Sequence, residues 1–440
     1  MSERPLKALL VSYLFPPVGG AGVARVLKFA KYLPKHGVDP TVLTAENPSV
    51  PVVDASRLAD AAGLRVIRAR TLEPGYMVKR AVWNAADGST KAGGGGSFLL
   101  SGLRLLLVPD PQVLWQPTAQ WRLARVLRSE AFDVVFISGP PFSQFLLAPA
   151  ARLWGRVPVV LDYRDEWGTV AAEYEMGGIT RRWSARFLEP LCLRAARAVT
   201  TATPAFREAL LARFSFLAKR TVVTLPNGYD PEDLPQFLPD PPSDRFVVTY
   251  AGTVFRLTRP SGLLRALGRI RAEHPDLATL LDVRFIGRVV ETEQRTLADA
   301  AHLGVRTLGY MDHSAALAES ARSHLNLCLL SDAPGAERIY PQKIFELAHI
   351  GRPILTLAPL GALAGLVGEL GLEPAIHPED EEAIAEYLVS QLRRFQAGVG
   401  VGTHTMGGSE KRFSRDRLAG ELANLFRSLR DPQARRSITK

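Results

Sequence analysis

Residues 335–354 read GAERIYPQKIFELAHIGRPI and hold the densest chemical signal in the chain. Lys343 and Glu346 lie three apart, and Pro341 suits the first turn of a helix. The two side chains therefore share one helix face near its N-terminus. A carboxylate placed there can accept both hydrogen bonds of a vicinal diol, or it can simply pair with the lysine on a surface. Ile344, Phe345, Leu347 and Ala348 surround the pair. They predict a helix that is mostly buried, where a glutamate needs a partner. A second loop, AGTVFRLTRP at 251–260, opens on Gly252 and brings Arg256 and Arg259. A guanidinium is a planar fork that matches phosphate oxygens and neutralises a departing diphosphate. The plainer reading is two solvated arginines at a loop tip.

Three more loops carry polar or glycine-rich clusters. DVVFISGPPFS (133–143) includes Ser138 and Pro140, and DYRDEW (162–167) packs Asp162, Arg164, Asp165 and Glu166 together. Such a cluster at a strand end is costly to bury unless paired. It either orders the floor of a cleft or holds substrate hydroxyls. PPVGGAG (16–22) places Gly19, Gly20 and Gly22 between a predicted strand and a predicted helix, where backbone can approach an anion. The spacing is not GxGxxG and no acid stands at the usual ribose distance, so a dinucleotide cofactor is not indicated.

The elements that must position these loops alternate. Leu6–Leu14 is a continuous apolar run of strand length, the mark of a strand buried on both faces. A helical pattern follows with Val23, Val26, Leu27, Ala30 and Leu33 on one face, and Gly37 stops it. Pro40–Thr44 is the next strand, which makes a βαβ unit and hence a parallel sheet. The alternation continues to residue 225 and pauses at a proline-rich stretch, 234–243. It then restarts with strands such as Phe246–Ala251, Leu325–Leu330 and Pro353–Leu357. Residues 45–110 are less regular, and Gly93–Gly96 reads as a flexible loop. The expected architecture is α/β with two Rossmann-like domains facing a central cleft. The first spans 1–233 and the second 244–410, and a C-terminal helix in 411–440 crosses back. Ligands of open parallel sheets bind beyond the carboxyl ends of the strands, where all of these loops lie.

Composition removes other classes. The chain has 440 residues, 47% hydrophobic and 22% charged, so it is not a disordered polymer. No apolar stretch is long enough to span a bilayer. The N-terminal run reads as a strand rather than a leader. Two cysteines, Cys192 and Cys328, exclude a disulfide framework and a cysteine-built zinc site, and a reducing cytoplasm is the simplest setting. The formal net charge of +10 suits anionic partners, although GC-rich codons also raise arginine. No nucleic-acid motif appears.

These motifs, in this order, resemble retaining glycosyltransferases of the GT-B fold, family 4. PQKIFELAHIGRPIL resembles the proline, lysine and glutamate signature of that family. PPVGGAG looks like its opening loop, and LPNGYD, at 225–230, like the segment before its interdomain linker. PDPQVLW, SGPPFS and VVLDYRDEW are similar to a bacterial branch acting on surface polysaccharides or decorated metabolites. FIGR and LGYMDH fall in the expected order, and the resemblance covers nearly the whole chain.

The resemblance implies that Glu346 binds the ribose of a nucleotide sugar. Arg256 or Arg259 would neutralise the leaving diphosphate, with Lys343 as a further candidate. Gly252 and the backbone of Gly335, Ala336 and Glu337 would line the donor, and Gly19 and Gly20 would approach its phosphate or the acceptor. Asp162 and Asp165 are the catalytic candidates of the first half, and Arg164, Ser138 and Pro140 the acceptor-binding ones. Three features depart from the family. The two arginines are more closely spaced than its basic pair, its GFG turn is absent, and no histidine stands in DYRD. The implied reaction moves a sugar from a nucleoside diphosphate sugar, the co-substrate, to a hydroxyl of a glycan, lipid-linked glycan or natural product. It needs no metal or other cofactor and no nucleic acid. The same fold also serves sugar-nucleotide epimerases, enzymes that couple non-sugar rings and degenerate, non-catalytic partners. Finally, a basic helix at Thr180–Arg197 carries Arg186, Arg194, Trp183 and Phe187. It either packs on the sheet with a solvated face or lies on the inner face of a membrane, as a peripheral contact.

Overall fold

The computed structural model describes residues 4–50, 52–75, 107–167, 178–235, 237–400, 402 and 409–430. The glycine run Gly93–Gly96 lies outside the described residues. The chain forms two compact units, Met1–Pro226 with Arg415–Lys440, and Asn227–Ser414.

Unit 1 contains β1 (Leu6–Val11), α1 (Ala21–Tyr32), β2 (Val38–Ala45), β3 (Arg65–Ala69), α2 (Gln116–Ser129), β4 (Val134–Gly139), α3 (Leu147–Gly155), β5 (Val159–Tyr163), α4 (Gly178–Ala195), β6 (Ala198–Thr201), α5 (Pro204–Arg213) and β7 (Thr221–Thr224). The sheet order is β3-β2-β1-β4-β5-β6-β7, with parallel neighbours throughout. Every residue of β4 and β5 is buried, as expected for strands covered on both faces. Strand residues alternate between two cores. Leu9, Val11, Val135 and Ile137 pack with α2, α3, α4 and α5 on one face. Ala8, Leu10, Val134 and Phe136 pack with α1 on the other, joined there by Leu418, Leu422 and Phe426 of the last helix.

Unit 2 contains β8 (Phe246–Ala251), α6 (Ser261–Glu273), α7 (Pro275–Ala278), β9 (Leu281–Ile286), α8 (Glu291–Asp299), β10 (Val305–Gly309), α9 (His313–Ala321), β11 (Leu325–Leu329), α10 (Lys343–Ile350), β12 (Ile354–Leu357), α11 (Ala362–Glu369) and α12 (Glu381–Gln396). Its sheet runs β10-β9-β8-β11-β12, again parallel. The closing helix α13 (Arg415–Arg430) belongs to unit 1. Two Rossmann-like units with a returning C-terminal helix constitute the GT-B fold.

The sheet orders locate the switch points. In unit 1 the chain moves outward one way from β1 and the other way from β4. In unit 2 it does so from β8 and β11. The crevice at such a point is open because the two crossover connections leave in opposite directions. The loops after β8 and β11 hold the Arg256 and Gly335–Glu346 motifs, and those after β1 and β4 hold Gly19–Gly20 and Ser138–Pro140.

Candidate active site

In unit 2, α10 begins at Lys343, so Glu346 falls in its first turn, and Gly351 at φ 80 ends it. Lys343 reaches back to the end of β8, where its Nζ lies 3.4 Å from the centroid of the Tyr250 ring. The ammonium is shut off from solvent, and no described group accepts a hydrogen bond from it. Burial pushes its pKa down to about 7, opposed only partly by Cys328 and the Glu346 carboxylate. Gly252 makes the space: at φ +154, a Cβ there would sit 2.5 Å from Nζ. Gly287, from the FIGR motif, packs its backbone on Gly252 so closely that a Cβ would lie 2.5 Å from the Gly252 carbonyl oxygen. Together these contacts enclose, at the unit 2 switch point, an amine that has no counter-ion among the described residues and that burial makes ready to lose its proton.

The two arginines of the loop separate. Arg259 donates from Nε to Oε1 of the buried Glu293 at 2.7 Å, and its backbone N–H donates to Ser331 Oγ at 2.9 Å. Its guanidinium therefore already has an anion. Arg256 is exposed and makes no ion pair among the described residues. The Leu257 carbonyl of the same loop accepts from the Ser331 N–H at 2.7 Å, which stitches the loops after β8 and β11 together.

Glu337 is engaged locally. Its Oε2 accepts from the Gly335 N–H at 2.9 Å and its Oε1 pairs with Arg338. The N–H groups of Gly335 and Ala336 are likewise spent within the turn, on Glu337 Oε2 and the Ala333 carbonyl, and Ala336 is buried. Glu346 accepts from Gln342 Nε2 at 3.2 Å, and the same Oε1 lies 3.5 Å from His313 Nε2. His313 opens α9 next to its N-cap Asp312, and its Nε2 also lies 3.6 Å from Asp233. Nothing in LGYMDH itself marks its histidine, His313, as a neighbour of Glu346.

In unit 1 the acidic cluster divides. Asp162 is fully buried and both oxygens are saturated. Oδ2 accepts from Arg25 Nε at 2.8 Å and Ser138 Oγ at 2.6 Å, and Oδ1 from Arg25 Nη2 at 2.7 Å and Thr200 Oγ1 at 2.6 Å. Burial works to raise its pKa, but Arg25 and the hydroxyls outweigh that and hold the carboxyl below its ordinary value. Arg25 also donates to the carbonyls of Leu225 and Pro226. Asp162 and Ser138, expected as catalytic and acceptor-binding residues, here spend their side chains within the fold, on each other and, for Asp162, on Arg25 and Thr200. Arg164, expected to bind acceptor, is engaged likewise. Its guanidinium donates to the carbonyls of Gly22 and Pro140, bracing the loops after β1 and β4. Pro140 lies between two cis peptide bonds. Asp165 is different: it is half-buried, and burial raises its pKa despite the neighbouring Arg164 and Arg25. It is the member of the cluster still able to bind or accept a proton. Gly19 donates its N–H to the Val52 carbonyl at 3.1 Å, and exposed Gly20, at φ +91, is the N-cap of α1. Arg25 was the main residue missed: on a helix read for its apolar face, nothing marked it as the partner of an acid 137 positions later.

Residues 19–228 match the model of a glycosyl transferase 4-like domain. No curated protein matches. Among solved structures, the chain is similar to sucrose-phosphate synthase from Thermosynechococcus elongatus, with 16% identity, 96% of this chain and 99% of that one covered, and a TM-score of 0.63. It is similar to Anabaena HepE, solved in complex with UDP and glucose, with 15% identity, 96% and 100% coverage and a TM-score of 0.60. It is also similar to S. aureus TarM, a mutant of which was solved with Fondaparinux, alpha-GlcNAc-glycerol and UDP, at 9% identity, 96% and 99% coverage and a TM-score of 0.60. At such identities the likeness speaks for the fold, and the domain match covers the first unit alone. The chain thus has the GT-B fold, and residues 19–228 of its first unit match a glycosyl transferase 4-like domain.

Proposed function

We propose that the protein is a retaining, metal-independent glycosyltransferase whose unit 2 binds a nucleoside diphosphate sugar and whose unit 1 binds a hydroxylated acceptor. The observation that carries this reading is Lys343, a solvent-excluded ammonium with no acceptor, held beside Gly252 at the switch point of unit 2. A buried cation without an anion is costly, and a diphosphate supplies the missing charge. Arg256, exposed in the adjoining loop, adds a second positive group for the charge shed as the glycosyl–phosphate bond breaks. Glu346 in the first turn of α10 takes the ribose diol, steadied by Gln342 and His313. Two solved relatives of the same fold hold UDP, which supports a nucleotide donor.

In this scheme the sugar–oxygen bond to the diphosphate breaks and the acceptor oxygen bonds the anomeric carbon on the same face. The departing diphosphate takes the acceptor's proton. The protein supplies position and charge neutralisation. Asp165 is the side chain in unit 1 assigned to the acceptor, since Asp162, Ser138 and Arg164 are occupied. The acceptor class is a glycan, lipid-linked glycan or natural product, met in the cytoplasm or at its membrane face. The test is binding and turnover together. Glu346→Gln should weaken UDP, GDP, dTDP or ADP binding, whichever the wild type prefers, by at least about tenfold. Arg256→Ala should lower kcat more than donor affinity. Unchanged donor affinity in Glu346→Gln sinks the ribose role, and a single nucleotide sugar as product, without free diphosphate, sinks transfer.

A further inference from the structure

One face of unit 1 has positive charge that no described carboxylate pairs with. Helices α2, α3 and α4 lie side by side on the same face of the sheet, since their apolar residues share one core. Their outward residues include Arg122, Arg125 and Arg128 of α2, Arg152 of α3, and Arg186 and Arg194 of α4. None of these forms an ion pair among the described residues. The only carboxylate in the three helices, Glu189, is buried and paired with Arg213 at 2.9 Å. The contrast with unit 2 is direct. There Arg265 pairs with Glu379 and Glu381, and Arg269 with Glu273 and Glu382.

The unpaired arginines instead lie over aromatic rings. Arg122 and Arg125 cover Trp121, Arg128 covers Trp154 and Arg186 covers Phe187. The same face exposes Trp121, Leu153, Trp183, Phe187 and Leu191, each more than half accessible to solvent. Trp183, Phe187 and Leu191 recur every fourth residue and so form one stripe along α4. Trp121 and Trp183 are the only tryptophans among the exposed large apolar side chains of the described residues. An indole prefers the boundary between headgroups and acyl chains, and a guanidinium prefers phosphate. A phosphodiester polymer would satisfy the arginines but would leave Leu153 and Leu191 in water.

We propose that the α2–α3–α4 face docks on an anionic lipid surface, with Trp121, Trp183, Phe187 and Leu191 at the acyl boundary and the arginines on lipid phosphates. The face stands independently of whether unit 2 binds a nucleotide, so its failure and that of the donor reading are separable. The test uses the full chain and vesicles of phosphatidylcholine with or without about one-third phosphatidylglycerol. The protein should float with the anionic vesicles at low salt, release at high salt, and ignore the neutral ones. Each arginine near such a surface is worth about fivefold in partitioning, so Arg125→Gln, Arg152→Gln and Arg186→Gln together should lose roughly 100-fold. Trp183→Ser with Leu191→Ser should also weaken flotation, and brominated acyl chains should quench the tryptophan emission of the wild type. Unchanged circular dichroism and melting temperature keep these variants interpretable. Absence of flotation, equal binding to neutral vesicles, or wild-type binding by the arginine variant overturns the proposal. So does binding to duplex DNA without bromolipid quenching.

Discussion

Replacing Lys343 by methionine should make unit 2 more stable, and by an amount that depends on pH. The stem keeps its length and packing while the amine that Gly252 and Tyr250 enclose disappears. A free lysine titrates near 10.5, and burial brings Lys343 down to about 7. Between those values the unfolded chain holds a proton that the fold does not, so stability rises with pH across the window and the lysine weighs most at its acid end. At about pH 8 the cost is about 3 kcal/mol, and at about pH 10.5 it is well under 1 kcal/mol. For a unit of this size 1 kcal/mol moves the midpoint by roughly 2–4 °C, so relaxation could remove two-thirds of the effect and leave it measurable. Differential scanning fluorimetry of wild type and Lys343→Met at both pH values reads it directly. The gap in Tm should be wide at the lower pH and nearly closed at the higher. A pH-independent gap, or a methionine variant that melts earlier throughout, would refute the view that this ammonium is held without a partner. The same reasoning has a binding limb. A nucleoside diphosphate that settles on Lys343 near pH 8 draws in a proton, so calorimetric enthalpies should differ between buffers for the wild type and agree for the variant.

Two further outcomes follow from buried groups. His324 is buried between Phe246 and Phe395, accepts from the Val247 N–H on Nδ1 at 3.0 Å, and is brought down to about 4 by burial and by Arg352 and Arg284. Its neutral form belongs to the fold, so unit 2 should lose stability as pH falls from about 6.5 to about 4, by up to about 1.4 kcal/mol per pH unit. His324→Asn, which keeps an acceptor and does not titrate, should flatten that limb in acid-denaturation curves; an unchanged limb rules His324 out as its source. Asp162→Asn leaves Arg25 buried without its anion and should cost unit 1 about 3–5 kcal/mol in urea unfolding. If the variant unfolds at the wild-type midpoint yet has lost turnover, Asp162 is a catalytic group after all.

The alternation of strands and helices was open to sequence because both sheets are parallel and doubly covered. Val134–Gly139 is an unbroken apolar or small-residue run, and Leu325–Leu329 is broken only by Asn326, so both admit few other readings. Helix α11 escaped because Gly365 and Gly368 sit inside it, and packing by Leu363, Leu366 and Val367 overrides their poor propensity. The candidate site was legible as a set of loops but not as a set of roles. DYRDEW looks uniform in one dimension. In the fold Asp162 is inside the sheet, sealed by Arg25, while Asp165 lies past the strand end. Arg256 and Arg259 look equivalent until Glu293, 34 positions on, takes the second. Partner choice of this kind depends on tertiary neighbours and leaves no local trace.

Unit 1 is assembled from both ends of the polypeptide. The apolar side of α1 is completed by Leu418, Leu422 and Phe426, and His36 beyond α1 bonds Asp416 at 2.8 Å. During synthesis the domain that emerges first must wait, with that flank wet, while all of Asn227–Ser414 is made. Unit 2 has no such dependence, because every strand of its sheet lies within one uninterrupted stretch. The later-made half can therefore close before the earlier-made one, the reverse of the usual vectorial order. Losing the final helix would leave unit 1 with an open seam while unit 2 stayed whole.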